Sequence, residues 1–172
     1  LLYIAWAFRH VPSPFRYGVC AVVALVHDVM VVVGIFSVLG KFWGLEVNSM
    51  FITGLLTVIG YSVHDTIVVF DRIRENVMKG AAPDFATAVN NSLLETLGRS
   101  LNTSLTLIFT LLALLLFGGV TIQSFILVLF IGVVAGTYSS LFIASQLLVA
   151  WEQGQIGRLF RRGPARRGIE PA

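Results

Sequence analysis

The residues with the most chemical consequence are ionisable groups set inside apolar sequence. Asp65 lies in GYSVHDTIVVFDRIREN, residues 60–76, shortly before the charged run Asp71, Arg72, Arg74 and Glu75. As a helix, the six-residue separation from Asp71 spans roughly 9 Å, which puts Asp65 inside a bilayer's hydrocarbon but nearer one face. Asp28, preceded by His27, sits near the middle of another apolar stretch. A carboxylate at membrane depth costs a few kcal/mol or more and marks a proton or ion pathway by default. Arg99 opens a later apolar segment at a depth similar to that of Asp65. A nearby cation favours the charged carboxylate and burial disfavours it, so a balanced site can exchange a proton as water access changes. Arg99, Thr103, Thr106 and Thr110 share one helical face and could line a water-filled path. The rival reading is a static ion pair, with the threonine hydroxyls satisfying backbone carbonyls. Both stay open. Asp28, with no evident cation, is either hydrogen-bonded to a neighbouring helix or part of a relay. His27 and His64 precede the two acids directly, but adjacent helical residues point about 100° apart and need not touch.

Other chemistries find no support. Three histidines and one cysteine, Cys20, form no set with metal-ligand spacing, and no disulfide can form within the chain. There is no phosphate-binding glycine loop and no nucleophile motif, so the sequence points to transport, with protons as the coupling ion and no cofactor, rather than to an enzyme. The net charge of +3 comes from a few confined segments, which argues against a nucleic-acid partner.

The elements that must position these residues are membrane helices. Of the 172 residues, 12% are charged, where a soluble domain has about 25%. The fold class is all-α integral membrane, a bundle of about five transmembrane helices with a short interfacial amphipathic helix. The first segment, residues 1–8, is too short to span; it reads as the end of a helix whose beginning is missing, so the chain is expected to be part of a longer protein. Spans are expected at 17–39, 50–70, 100–117 and 122–150. Between the second and third of these full spans, Phe85, Val89, Leu93 and Leu97 recur every four residues, predicting an amphipathic helix over 84–97 in the interface, with Gly98 as its stop. Gly132, Gly136, Ser140 and Ala144 form a small-residue stripe suited to close helix contact. The tail, residues 156–172, is basic and expected to be disordered.

Loop charges set the orientation. Arg9, Arg16, Arg72, Arg74, Lys79, Arg99 and five tail arginines fall on one set of alternating connections, and only Lys41 on the other. The basic side is expected in the cytoplasm, with the C-terminus, and its arginines beside lipid headgroups.

The run GYSVHDTIVVFDRIREN, with ALVHDV and GIF at 24–36 and GRSLNTSLT at 98–106, resembles the SecF family, or the SecF half of fused SecDF proteins, along essentially the whole chain. The resemblance implies an RND-superfamily unit of six membrane helices, of which this chain would carry the last five, without the periplasmic domain after the first. It implies a bacterial inner-membrane accessory subunit that uses the proton-motive force to assist preprotein export. The implied partners are SecD, SecYEG and often YajC. Asp65 matches the family's essential membrane carboxylate and Arg99 its functional arginine. The family commonly has Asn before the acid; His64 stands there instead and adds a titratable neighbour. Two alternatives are an RND-type exporter of small molecules or lipids and a purely structural assembly subunit.

Overall fold

The computed structural model of the protein describes residues 14–80 and 82–153. The partial span expected at 1–8 and the basic tail expected at 156–172 lie outside the described residues. Helix α1 runs Pro14–Trp43, α2 Ser49–Met78, α3 Phe85–Phe117 and α4 Val120–Tyr138. A π-helical segment, Ser139–Ala144, continues α4 into α5, Ser145–Glu152. The described residues thus hold four rods long and apolar enough to cross a membrane, the last made of α4, the π segment and α5, and the chain is a multi-pass membrane protein.

The ends of the rods are set by local chemistry. Asn48 and Asp84 cap α2 and α3 by accepting from the Phe51 and Thr87 backbone amides. Gly44 and Gly80, at φ 66° and 63°, turn the chain after α1 and α2 through a region other residues enter at a cost. Gly98 stays helical. The amphipathic stretch 84–97 and the span 100–117 are one helix rather than two, because a single face carries on through both. Val89, Ser92, Thr96, Ser100 and Ser104 are all buried along it. A mid-helix glycine costs about 1 kcal/mol, too little to break that face.

α2 and α4 are the central pair, and α1 and α3 each pack against both. The small-residue stripe of the last rod is buried, as expected of a close contact. A Cβ built on Gly132 would stand 2.2 Å from Val58 of α2, and one on Gly54 would stand 3.0 Å from Val128. The two backbones therefore approach more closely than side chains would permit. At one end of the bundle Tyr17, Phe70, Ile73 and Leu148 pack together; at the other, Val32, Phe36, Phe51 and Val58 do, beside Leu111, Ile126 and Val133. Between these apolar clusters lies a layer of buried polar groups: Asp28, Ser62, Ser100, Ser104, Thr137, Ser139 and Ser140.

Candidate functional site

Asp65 sits in that polar layer, half-buried, gripped by two helices at once. Its Oδ1 accepts from Ser100 of α3 at 2.8 Å, and its Oδ2 accepts from Ser140 of the π segment. The grip exists because Ser100 lies on the buried face of α3 and because Ser140 lies where the last rod leaves α-helical geometry. The Ser139 and Ser140 hydroxyls bond back to the carbonyls of Gly136 and Thr137 at that change. π turns recur at functional positions because they re-aim side chains.

Beside Asp65 is a cavity of about 70 Å³, bordered by Tyr61, His64, Val68, Arg99, Ser100 and Thr103. That is room for a few water molecules. Val68 and Arg99 also border a vestibule of about 360 Å³ at the charged end, lined by Asp71, Arg72, Glu75, Glu95 and Thr96. The vestibule walls are tied together. Arg72 bridges Glu75 and Glu95, Asn76 donates to Ser92 and Glu95, and Lys79 pairs with Glu75. Asp65 thus lies behind Arg99, one layer in from the charged face.

Beyond the cavity the bundle is closed. Tyr61 and Ser104 hydroxyls lie 2.9 Å apart and Thr137 donates to Ser104 at 2.7 Å, joining α2, α3 and α4. Past them, Leu111, Ile126 and Val133 form an apolar plug.

The structure brings some of the expected residues together and separates others. Asp65, Arg99 and His64 border one cavity, but among the described residues no ion pair joins Asp65 to Arg99; the donor from α3 is its neighbour, Ser100. Thr106 is not brought to the site. Thr103 borders the cavity beside Arg99, while Thr106 and Thr110 face outward; all three hydroxyls bond carbonyls one turn back, those of Arg99, Asn102 and Thr106. Asp28 occupies a separate junction, fully buried, where it accepts from Ser62 of α2. His27 does meet its neighbour, with Nδ1 3.2 Å from Asp28 Oδ1, while His64 turns to the surface.

Sequence reading missed Ser62, Ser100, Ser104 and Thr137 and took Ser140 for packing alone. One signal was present. Ser92, Thr96, Ser100 and Ser104 recur every four residues, on a face adjacent to Arg99 and Thr103. Two neighbouring polar stripes on one helix cannot be ranked without knowing its rotation in the bundle.

The family profile described as protein export membrane protein SecD/SecF, C-terminal, matches residues 1–154. The protein translocase subunit SecF of Thermobaculum terrenum is 63% identical over 160 residues, covering 93% of this chain and 50% of that protein. Its namesake from Anaerolinea thermophila is 50% identical over 164 residues, covering 95% and 53%. The chain spans about half the length of these curated relatives. The protein translocase subunit SecDF of Thermus thermophilus is 43% identical over 152 residues, covering 88% of this chain and 20% of that one. A crystal structure of SecDF in a super-membrane-facing form matches with a TM-score of 0.79 at 40% identity, over 94% of this chain and 21% of that one. With 154 of its 172 residues matched by the family profile, the chain belongs to the SecD/SecF C-terminal family of protein-export membrane proteins.

Proposed function

We propose that this chain is the membrane bundle of an accessory subunit of the Sec translocase, and that it uses the proton-motive force to assist preprotein export. The observation that carries the reading is Asp65 at membrane depth, held by hydroxyls from two helices beside a cavity bordered by Arg99. A hydroxyl grip satisfies the carboxylate without fixing its charge, since each serine can donate to a carboxylate or accept from a carboxylic acid. Arg99, between vestibule and cavity, can move toward the charged form of Asp65 and away from the neutral one. His64, at the rim, is a second group able to hand a proton to the cavity. The polar pocket opens toward the charged end and is plugged at the other, the asymmetry a proton-driven cycle needs in one of its states.

The membrane is the bacterial cytoplasmic membrane, with the arginine-rich end and the C-terminus on the cytoplasmic side. The partners are SecD and SecYEG, with YajC in some assemblies. An exposed seam of His64 and Thr57 on α2, opposite Arg99, Thr103 and Thr106 on α3, is poorly suited to lipid and fits cover by a second helical bundle such as that of SecD.

The test is Asp65→Asn in the full-length subunit with its partners, assayed for late-stage preprotein movement in membrane vesicles with and without a proton gradient. The gradient-dependent component should fall by about tenfold or more, with co-purification of the partners unchanged. Retained gradient dependence would remove Asp65 from the mechanism; loss of co-purification would make it a structural clasp instead.

A further inference from the structure

Asp28 is the one carboxylate among the described residues with no exposed surface. It lies near the middle of α1, and three residues close on it, two of them from other helices. Ser62 of α2 donates to Oδ2, and Gly136 of α4 stands so near that a Cβ there would be 3.8 Å from that oxygen. His27 Nδ1 lies 3.2 Å from Oδ1. His27 itself is not enclosed. Its side chain is 38% exposed and borders an apolar groove of about 520 Å³ between α1 and α4, lined also by Val31, Ile35, Phe130, Val134 and Tyr138.

Among the described residues no lysine or arginine faces this junction. α1 offers only His27, α2 only the Ser62 hydroxyl, and α4 only Tyr138 at the groove. The π segment carries no titratable side chain, and Glu152 of α5 is paired with Arg16 at the charged end. The other intramembrane acid, Asp65, is turned to Ser100 and Ser140. A lone negative charge at this place would bear its desolvation cost unpaired. One proton held between the imidazole and the carboxyl makes the pair neutral, as imidazole beside acid or imidazolium beside carboxylate. Asp28 has no surface of its own, so that proton comes and goes by way of His27. An imidazole can accept at one ring nitrogen and release from the other.

We propose that His27 and Asp28 form a second intramembrane proton site, distinct from Asp65, which exchanges its proton through His27 on the α1–α4 side of the bundle. On uptake a proton binds one ring nitrogen and the Nδ1 proton passes to Asp28 Oδ1; release reverses both transfers and no other bond changes. The proposal deepens the proton-coupling reading and rests on it for its role in export. Ser62 and Asp65 lie on the same helix, and Gly136 and Ser140 on the same rod, so each acid ties into the elements that hold the other.

The experiment is infrared difference spectroscopy of the full-length subunit with its partner chains in lipid, stepped from acid to alkaline pH, on wild type, Asp28→Asn, Asp65→Asn and His27→Gln. The wild type should show two titrating carboxyl bands, one lost in Asp28→Asn and the other in Asp65→Asn. His27→Gln should move the midpoint of the Asp28 band by about one pH unit, a roughly tenfold change in proton affinity. Asparagine keeps an acceptor for Ser62 and the same volume, and the surviving Asp65 band reports a folded protein. An unchanged spectrum in Asp28→Asn, or an Asp28 band indifferent to His27→Gln, would overturn the proposal. Loss of export in Asp65→Asn would leave the proton-coupling reading standing in that case. Conversely, an Asp28 band beside an export-competent Asp65→Asn would sink that reading and keep the dyad.

Discussion

Ser100 and Thr106 carry the same functional group on the same helix, yet their surroundings give them opposite expectations. Ser100 is buried and donates to Asp65; Thr106 is exposed and donates to the carbonyl one turn back. Replacing Ser100 with Ala removes a hydroxyl donor to Asp65 at a cost of about 0.5–1.5 kcal/mol. We expect the pH profile of gradient-driven export to shift in Ser100→Ala and to stay in place in Thr106→Val, measured in the same vesicles. A shift in Thr106→Val with none in Ser100→Ala would mean that the outward stripe is the working one. Asp65 was legible because a carboxylate in apolar sequence is conspicuous. Arg99 was placed at a similar depth from sequence, and the two residues border one cavity. That Ser100 supplies the bond was not legible, because it turns on a rotation of α3 set by packing against α2 and α4. His27 and Asp28 show what spacing leaves open: successive helical residues need not touch, but a long ring can swing back along the helix to reach its neighbour, as His27 does.

At the scale of the element, α3 invites two tests. Gly98 is helical, exposed and has open space around its missing Cβ. Gly98→Ala should therefore stabilise the protein by roughly 0.5–1 kcal/mol, read as a higher midpoint in thermal unfolding in detergent. A true helix stop would respond with destabilisation. At the start of α3, the hydroxyl and then the amide of Thr87 bond to Asp84 and hold its carboxyl below the usual carboxylate range. A carboxylate with a depressed value stabilises the fold above its unfolded value and loses that effect as pH falls through the folded one. Amide exchange at the first turn, Phe85–Ala88, should accelerate in that acid window, and Asp84→Ala should show the fast exchange at neutral pH already. Periodicity identified both halves of α3 but read Gly98 as punctuation. Gly44 and Gly80 mark helix ends by turning the chain through positive φ and Gly118 by an extended turn, whereas Gly98 keeps helical geometry because the face it interrupts stays buried on both sides.

For the whole molecule, the determining contact is that of the central pair. Gly132→Ala would drive a methyl into Val58, which is fully buried and has no room to withdraw. The two rods must then separate, at a cost of about 1–3 kcal/mol, with a lower thermal midpoint and a weakened bond between Ser140 and Asp65. Val58→Ala should relieve the clash and restore part of the midpoint in the double variant, which distinguishes a wedge from a general loss of helix packing. The small-residue stripe announced this contact from sequence alone; which rod met which was set by the tertiary arrangement.

The π segment adds one further consequence. A wide turn takes up about one residue more than an α turn, so everything after it is rotated by roughly 100° relative to an uninterrupted α-helix. Glu152, which pairs with Arg16, lies beyond that turn. The last rod therefore works as a screw whose thread is cut at Ser140. A change in how Asp65 holds that serine, by letting the wide turn tighten or migrate, would be read at the far end of the rod as rotation, with no hinge and no broken helix.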